Sequence, residues 1–199
     1  MSRTFKGLLL RHLLCGVGGE LLLGCGAGPR PAAPPACDQV CQDGVALRGA
    51  RSMMKLAYNT LVMGRPVGPQ DKETKCLPRN GTSGSVRVFG DATANAIQGD
   101  SFVSLSYDFK DCSYAAPPDP TADQNYSVTL TGLVTENGTL SVQPTSTTAL
   151  LIESDSLSVS GTVYDPPLDY TATACALALN QNGTGVAGTL CGRNAGFTF

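Results

Sequence analysis

Tryptophan is absent from this chain of 199 residues, and histidine occurs once, at His12. His12 falls within residues 1–24, whose pattern is that of a removable export signal, so the rest of the chain has no histidine. That excludes Ser-His-Asp and Cys-His catalysis, histidine metal sites and histidine-based pH sensing from the exported portion. Charge is sparse as well, at 15% of residues. Without Arg3, Lys6, Arg11 and Glu20, the exported portion has 11 basic residues against 15 acidic ones, a net charge of −4. Such mild acidity offers no basic footprint for nucleic acid and no polybasic patch for anionic lipid. CxxC spacing is missing, so with histidine gone no metal site is expected. No cofactor motif is found, and none is expected to bind. No uninterrupted apolar run approaches the ~18–20 residues of a membrane-spanning helix.

The N-terminus is informative. Arg3, Lys6 and Arg11 form a positive region, and Leu8 to Leu10, Leu13, Leu14, Val17 and Leu21 to Leu23 form an apolar one. Gly24 supplies the small residue that a cleavage site needs. The run Leu22-Leu23-Gly24-Cys25 resembles the lipobox of bacterial lipoproteins. The resemblance implies that residues 1–24 are removed, that the Cys25 thiol is diacylated, and that its new amino group is acylated too. Membrane attachment through this lipid anchor would follow, since more than one chain is needed for stable anchoring. Gly26 stands where an aspartate would imply inner-membrane retention, so the resemblance implies the outer membrane, on its periplasmic face or the cell surface. Cys15 does not fit, because Leu14 precedes it. The resemblance covers residues 1–25 alone.

Residues 25–36 are dominated by Gly, Ala and Pro and read as a tether. Residues 37–199 are enough for a single domain with its own core. Six cysteines lie there: Cys37, Cys41, Cys76, Cys112, Cys175 and Cys191. An even number in an exported chain predicts disulfides.

Residues 38–63 predict a helix. Asp38 is a candidate N-cap. Leu47, Ala50, Met54, Ala57 and Leu61 form one apolar face, with Arg48, Arg51 and Lys55 mainly off it. Gly64 and Pro66 end the helix, and residues 64–84 read as a loop. From Ser85 the apolar residues recur with period two, as in Val103-Leu105-Tyr107-Phe109 and Leu157-Val159. Seven strands are expected, near 85–95, 101–113, 125–136, 139–152, 155–165, 170–181 and 184–192. Half-polar alternation with short connections predicts antiparallel pairing. Asn137-Gly138 and Asn182-Gly183 read as two-residue hairpin turns. Gly90, Gly132, Gly161 and Gly188 sit on the apolar parity of their strands, where they either seat a helix or let the sheet coil. The predicted fold is mainly β: a curved antiparallel meander with one N-terminal helix packed on it, stapled by disulfides.

Geometry favours one pairing above the rest, Cys76–Cys112, because Cys76 precedes the first expected strand and Cys112 ends the second. Cys175 and Cys191 fit a hairpin clasp only if a bulge, expected near Gly188, corrects their strand parity. That would leave Cys37 with Cys41. The alternative is that Cys175 bonds Cys37 or Cys41.

Chemistry-bearing motifs are thin. Asn80, Asn125, Asn137 and Asn182 match the glycosylation sequon but read as turn residues. Asp119, Asp123 and Asn125 share one loop without the spacing of a calcium-binding loop. Glu153 and Asp155 could serve glycoside hydrolysis only with another carboxylate across a cleft. The terminal Gly196-Phe197-Thr198-Phe199 superficially resembles the last strand of an outer-membrane barrel, but Arg193 and Asn194 interrupt it, and 6% aromatics cannot form the girdles. The expected role is a non-catalytic, lipid-anchored envelope domain that binds or scaffolds an envelope protein. Two alternatives are a carrier of an apolar ligand in a curved-sheet cavity and a histidine-free carboxylate hydrolase.

Overall fold

Helix α1 spans Gln39–Leu61. Asp38 caps it, its carboxylate accepting the Cys41 amide at 2.9 Å. It ends where the Met63 amide reaches back to Tyr58 O and Gly64 turns left-handed at φ 76°. In this computed structural model, residues 36–65, 67–76, 84–93, 99–141 and 147–199 are described. Pro66 and residues 1–35 lie outside them.

Eight antiparallel strands follow in sequence order: β1 Gly68–Lys75, β2 Ser85–Ala92, β3 Asp100–Ala115, β4 Tyr126–Ser141, β5 Ala149–Val163, β6 Leu168–Asn182, β7 Gly185–Leu190 and β8 Arg193–Thr198. Each pairs with the next, and the sheet does not close into a barrel. Together with α1 they form one compact unit, Ala36–Phe199. Its core lies between the helix and the sheet's inner face, where Leu47, Met54, Tyr107, Phe109, Leu130 and Leu157 are all buried.

Several boundaries differ from the expected ones, each for a physical reason. The expected loop at 64–84 contains β1. Its sequence, Gly-Pro-Gln-Asp-Lys-Glu-Thr-Lys, has no large apolar residue, and Gln70 alone is buried. Charge on an edge strand discourages pairing with other chains. Arg193 and Asn194 do not interrupt the C-terminal segment but open β8. Asn137-Gly138 is no turn. It lies inside β4, with Asn137 paired to Leu151 and Gly138 to Leu150. The strand expected at 139–152 is therefore divided: residues 139–141 end β4, and residues 149–152 join the strand expected at 155–165 as β5. The turn between β6 and β7 is Gly183-Thr184 rather than Asn182-Gly183. With Gly183 at φ 57° in the first position, Leu190 pairs with Leu177 rather than with Cys175.

The inward-parity glycines bend the sheet rather than seat the helix. At Gly188 (φ 159°) an added Cβ would lie 2.0 Å from Ala178 O on the neighbouring strand, and Gly90, Gly132 and Gly161 meet carbonyls of adjacent strands in the same way. Helix–sheet contact needs small residues on the helix instead. A Cβ at Gly44 would stand 2.8 Å from Gly196 O, and one at Gly49 would stand 2.8 Å from Val128 Cγ2. The helix is thus buried over most of its first half: residues 43–51 are all buried. Arg48 and Arg51, expected off the apolar face, are enclosed with the rest.

Candidate functional site

Cys25, the expected point of lipidation, lies outside the described residues, as do Asn80 and the tether up to Pro35. The other six cysteines form three disulfides, Cys37–Cys41, Cys76–Cys112 and Cys175–Cys191, with Cα–Cα distances of 5.2, 5.4 and 4.7 Å. The parity obstacle to the third is removed beyond the last β6–β7 pair, Leu177↔Leu190, and not by the neighbouring bulge in β6. Ala174, at φ 50°, bulges β6 so that residues 173 and 174 together oppose Ser158. Cys191 leaves β7 altogether and, with Gly192, forms the turn into β8, both at positive φ. No bulge near Gly188 is involved: β6 and β7 pair without a break from Leu177↔Leu190 to Asn182↔Gly185.

Among the described residues, a buried polar arrangement lies where the helix enters the sheet. Asp43 is fully buried and accepts two hydrogen bonds from Arg193 of β8 (2.8 and 2.9 Å), one from Tyr170 of β6 (2.7 Å) and one from Gln39 (3.0 Å). Burial pushes this carboxyl up, but the bonds from Arg193, Tyr170 and Gln39 outweigh it and hold it below the ordinary carboxylate value. Burial, with the Asp43 carboxylate adding to it, pushes the Tyr170 phenol well up. One turn on, Arg48 donates to Thr198 O at 2.8 Å and Gln124 Oε1 at 2.9 Å, pairs with Asp123 at 3.3 Å and lies over the Phe197 ring at 5.4 Å. Arg51 donates to Gln181 Oε1 at 2.8 Å and pairs with Glu136 at 3.0 Å. Glu136 Oε1 has no aligned hydrogen bond, so that contact is Coulombic, while Glu136 Oε2 accepts from Tyr107 at 2.5 Å. Burial, followed by the Glu136 charge, drives the Tyr107 phenol well above its ordinary value.

The helix-borne members of these pairs face their partners rather than solvent, whereas Arg193 and Asp123 remain partly exposed. Asp43, Glu136 and Arg51 are at most 5% exposed and already neutralised. The chemistry this permits is orientation: each pair fixes one turn of the helix against a different part of the sheet. The sequence carried one usable signal. Glu136 lies two residues beyond Val134 on the inward parity of its strand, where an unpaired acid would be costly.

The remaining expected site residues are dispersed. Asp119 accepts the Thr121 amide at 2.8 Å, and Asn125 closes the same loop by accepting the Asp119 amide at 2.9 Å and donating to Asp119 O and Thr121 O. With Asp123 turned to Arg48, the loop's oxygens hold the loop itself. Among the described residues no group of three His, Cys, Asp or Glu could hold a metal. Glu153 and Asp155 are not at a turn but lie within β5, both exposed. No described helix is long and apolar enough to cross a membrane.

The inner face, expected as a cavity in the carrier reading, is filled by the helix. About 10 Å³ remains between Leu47, Met54, Phe109 and Leu130. A crevice of about 100 Å³ opens between Met53, Leu56, Ala57, Cys76, Val86 and Tyr114. Ligand pockets begin near ~300 Å³, so this crevice is smaller than the usual range.

No family model, curated protein or solved structure matches this chain.

Proposed function

We propose that this protein is a lipid-anchored component of the bacterial cell envelope, held at the outer membrane through an acylated Cys25. Its domain would then have a non-catalytic role, binding or scaffolding an envelope protein. The observation that carries the reading is Leu22-Leu23-Gly24-Cys25 behind a basic and then an apolar segment. Three disulfides suit an oxidising compartment outside the cytoplasm. The non-catalytic part draws on the buried titratable groups. Asp43, Arg48, Arg51 and Glu136 all hold the helix in place, which leaves them unavailable to a substrate.

Metabolic labelling with an alkyne-tagged fatty acid tests the anchor. The wild-type protein should label, fractionate with membranes and lack residues 1–24. Cys25→Ala should not label, and should remain uncleaved or become soluble. Equal labelling of the two proteins would refute the assignment.

A further inference from the structure

The two edges of the sheet are finished differently. On β8 the Phe199 amide bonds Thr184 O, and alternation from there turns the backbone groups of Asn194, Gly196 and Thr198 away from β7. Helix α1 closes that edge: Thr198 O accepts from Arg48, and Gly44 backs onto Gly196 O. On β1 the Cys76 amide bonds Gly84 O, so the edge-facing amides belong to Asp71, Glu73 and Lys75. All three residues are exposed. Among the described residues those amides have no partner, and Lys75 O has a long contact of 3.4 Å from Thr74 Oγ1.

An open edge is a template for another strand. The charges on β1 deter an unrelated strand, but they discriminate among registers of an antiparallel copy. Opposite the partner's Asp71, Glu73 meets an acid. Opposite the partner's Glu73 it meets an acid on the axis itself, and the flanking Asp71–Lys75 contacts compete with the two 2.7 Å bonds by which Arg87 already holds Asp71. Opposite the partner's Lys75, symmetry makes the Glu73–Lys75 pair twice and sets no like charges directly opposite. These are also the charges left over within one chain. Glu73 accepts from the neutral Ser85 hydroxyl at 2.7 Å, while Arg87 across from it turns to Asp71. Lys75 has no ion pair among the described residues. The same register sets the partner's Lys72 opposite Cys76, beside the crevice at Leu56, Ala57 and Val86, where its stem covers apolar surface.

We propose that this chain forms a symmetric homodimer by pairing β1 with β1 of a second copy, Glu73 of each opposite Lys75 of the other. At both positions the paired residues exchange their N–H···O bonds, and the sheets join into one. Because α1 covers the β8 edge, the assembly stops at the dimer and does not propagate as a filament. The overlap is short, residues 72–76 of each chain, so association is weak in dilute solution and strengthens wherever copies are confined to one surface. The pairing goes beyond the anchored role and does not require acylation.

The test mixes full chain labelled with light and with heavy nitrogen, in mild detergent, and adds a carbodiimide, which condenses a carboxylate with an amine touching it. Peptide mapping should find a mixed-isotope Glu73–Lys75 link, which no link within one chain can give. Lys75→Glu and Glu73→Lys each set like charges opposite one another and should each weaken self-association about 10-fold in sedimentation equilibrium. Mixed together, the two variants face opposite charges at both positions and should associate as strongly as wild type. Both side chains are exposed, so the unfolding midpoints should stay near that of wild type. A wild-type protein that stays monomeric up to about millimolar concentration overturns the proposal. So does a dimer indifferent to both substitutions, or a pair of variants that does not recover on mixing.

Discussion

Removing the Arg51 side chain should expose how much of the helix's position depends on one buried ion pair. Arg51 is 5% exposed and Glu136 fully buried, 3.0 Å apart. At that distance an effective dielectric of 20 gives an attraction of about 5 kcal/mol, set against a desolvation cost of several kcal/mol per ion. The net worth of the pair is therefore small, but the cost of breaking it is not. Arg51→Met retains the apolar stem and leaves the Glu136 carboxylate enclosed, with Tyr107 as its remaining donor. The expected loss is about 3–5 kcal/mol, a large share of the ~5–15 kcal/mol that holds a typical domain together. In urea, with a slope near 2 kcal/mol/M, the midpoint should fall by roughly 1.5–2.5 M. Glu136→Gln alone should also destabilise, because Arg51 would keep Gln181 as its only strong acceptor. The double variant leaves no unpaired charge at this position, so its cost should fall short of the sum of the singles by about 0.5–3 kcal/mol. A loss below ~1 kcal/mol for Arg51→Met, or singles that add to within ~0.5 kcal/mol, would refute the reasoning.

Met54 is 2% exposed between the helix and the sheet, and Met54→Ala should cost about 2–5 kcal/mol in the same assay. The Asp43 carboxyl titrates below its unfolded value of about 3.9, so its stabilising effect is complete above that pH and is lost as the pH falls through the folded-state value. Asp43→Asn should accordingly be less stable than wild type at neutral pH, and the gap should narrow below about pH 4. Urea midpoints measured from pH 2 to 7 would show it, and a gap independent of pH would contradict it.

Much of the sheet was legible because its inner face must be apolar and its outer face need not be. Val103-Leu105-Tyr107-Phe109 alternates without a break and lies where its period places it, in β3. β1 was not legible, because a charged edge strand carries no apolar period. Asn137-Gly138 misled because a hairpin turn and a coiled strand share a requirement, a glycine at positive φ, which Gly138 meets at 129° inside β4. The buried polar contacts were hidden for another reason. Helical spacing places Arg48 and Arg51 mainly off the apolar face, and only the partners Asp123, Glu136 and Gln181, brought from distant strands and loops, make their burial tolerable.

The two clamps on the front of the helix have a bearing on how the chain acquires its shape. Each sheet partnership joins consecutive strands and can form as the polypeptide emerges. Asp43–Arg193 and Arg48–Thr198 instead span 150 residues each. The first described element is secured by the last. Until β8 arrives, α1 presents the Asp43 carboxylate without its arginine and the bare face of Gly44 to whatever surrounds it. A polypeptide delivered vectorially would thus hold the front of its helix unsatisfied until the last strand was delivered.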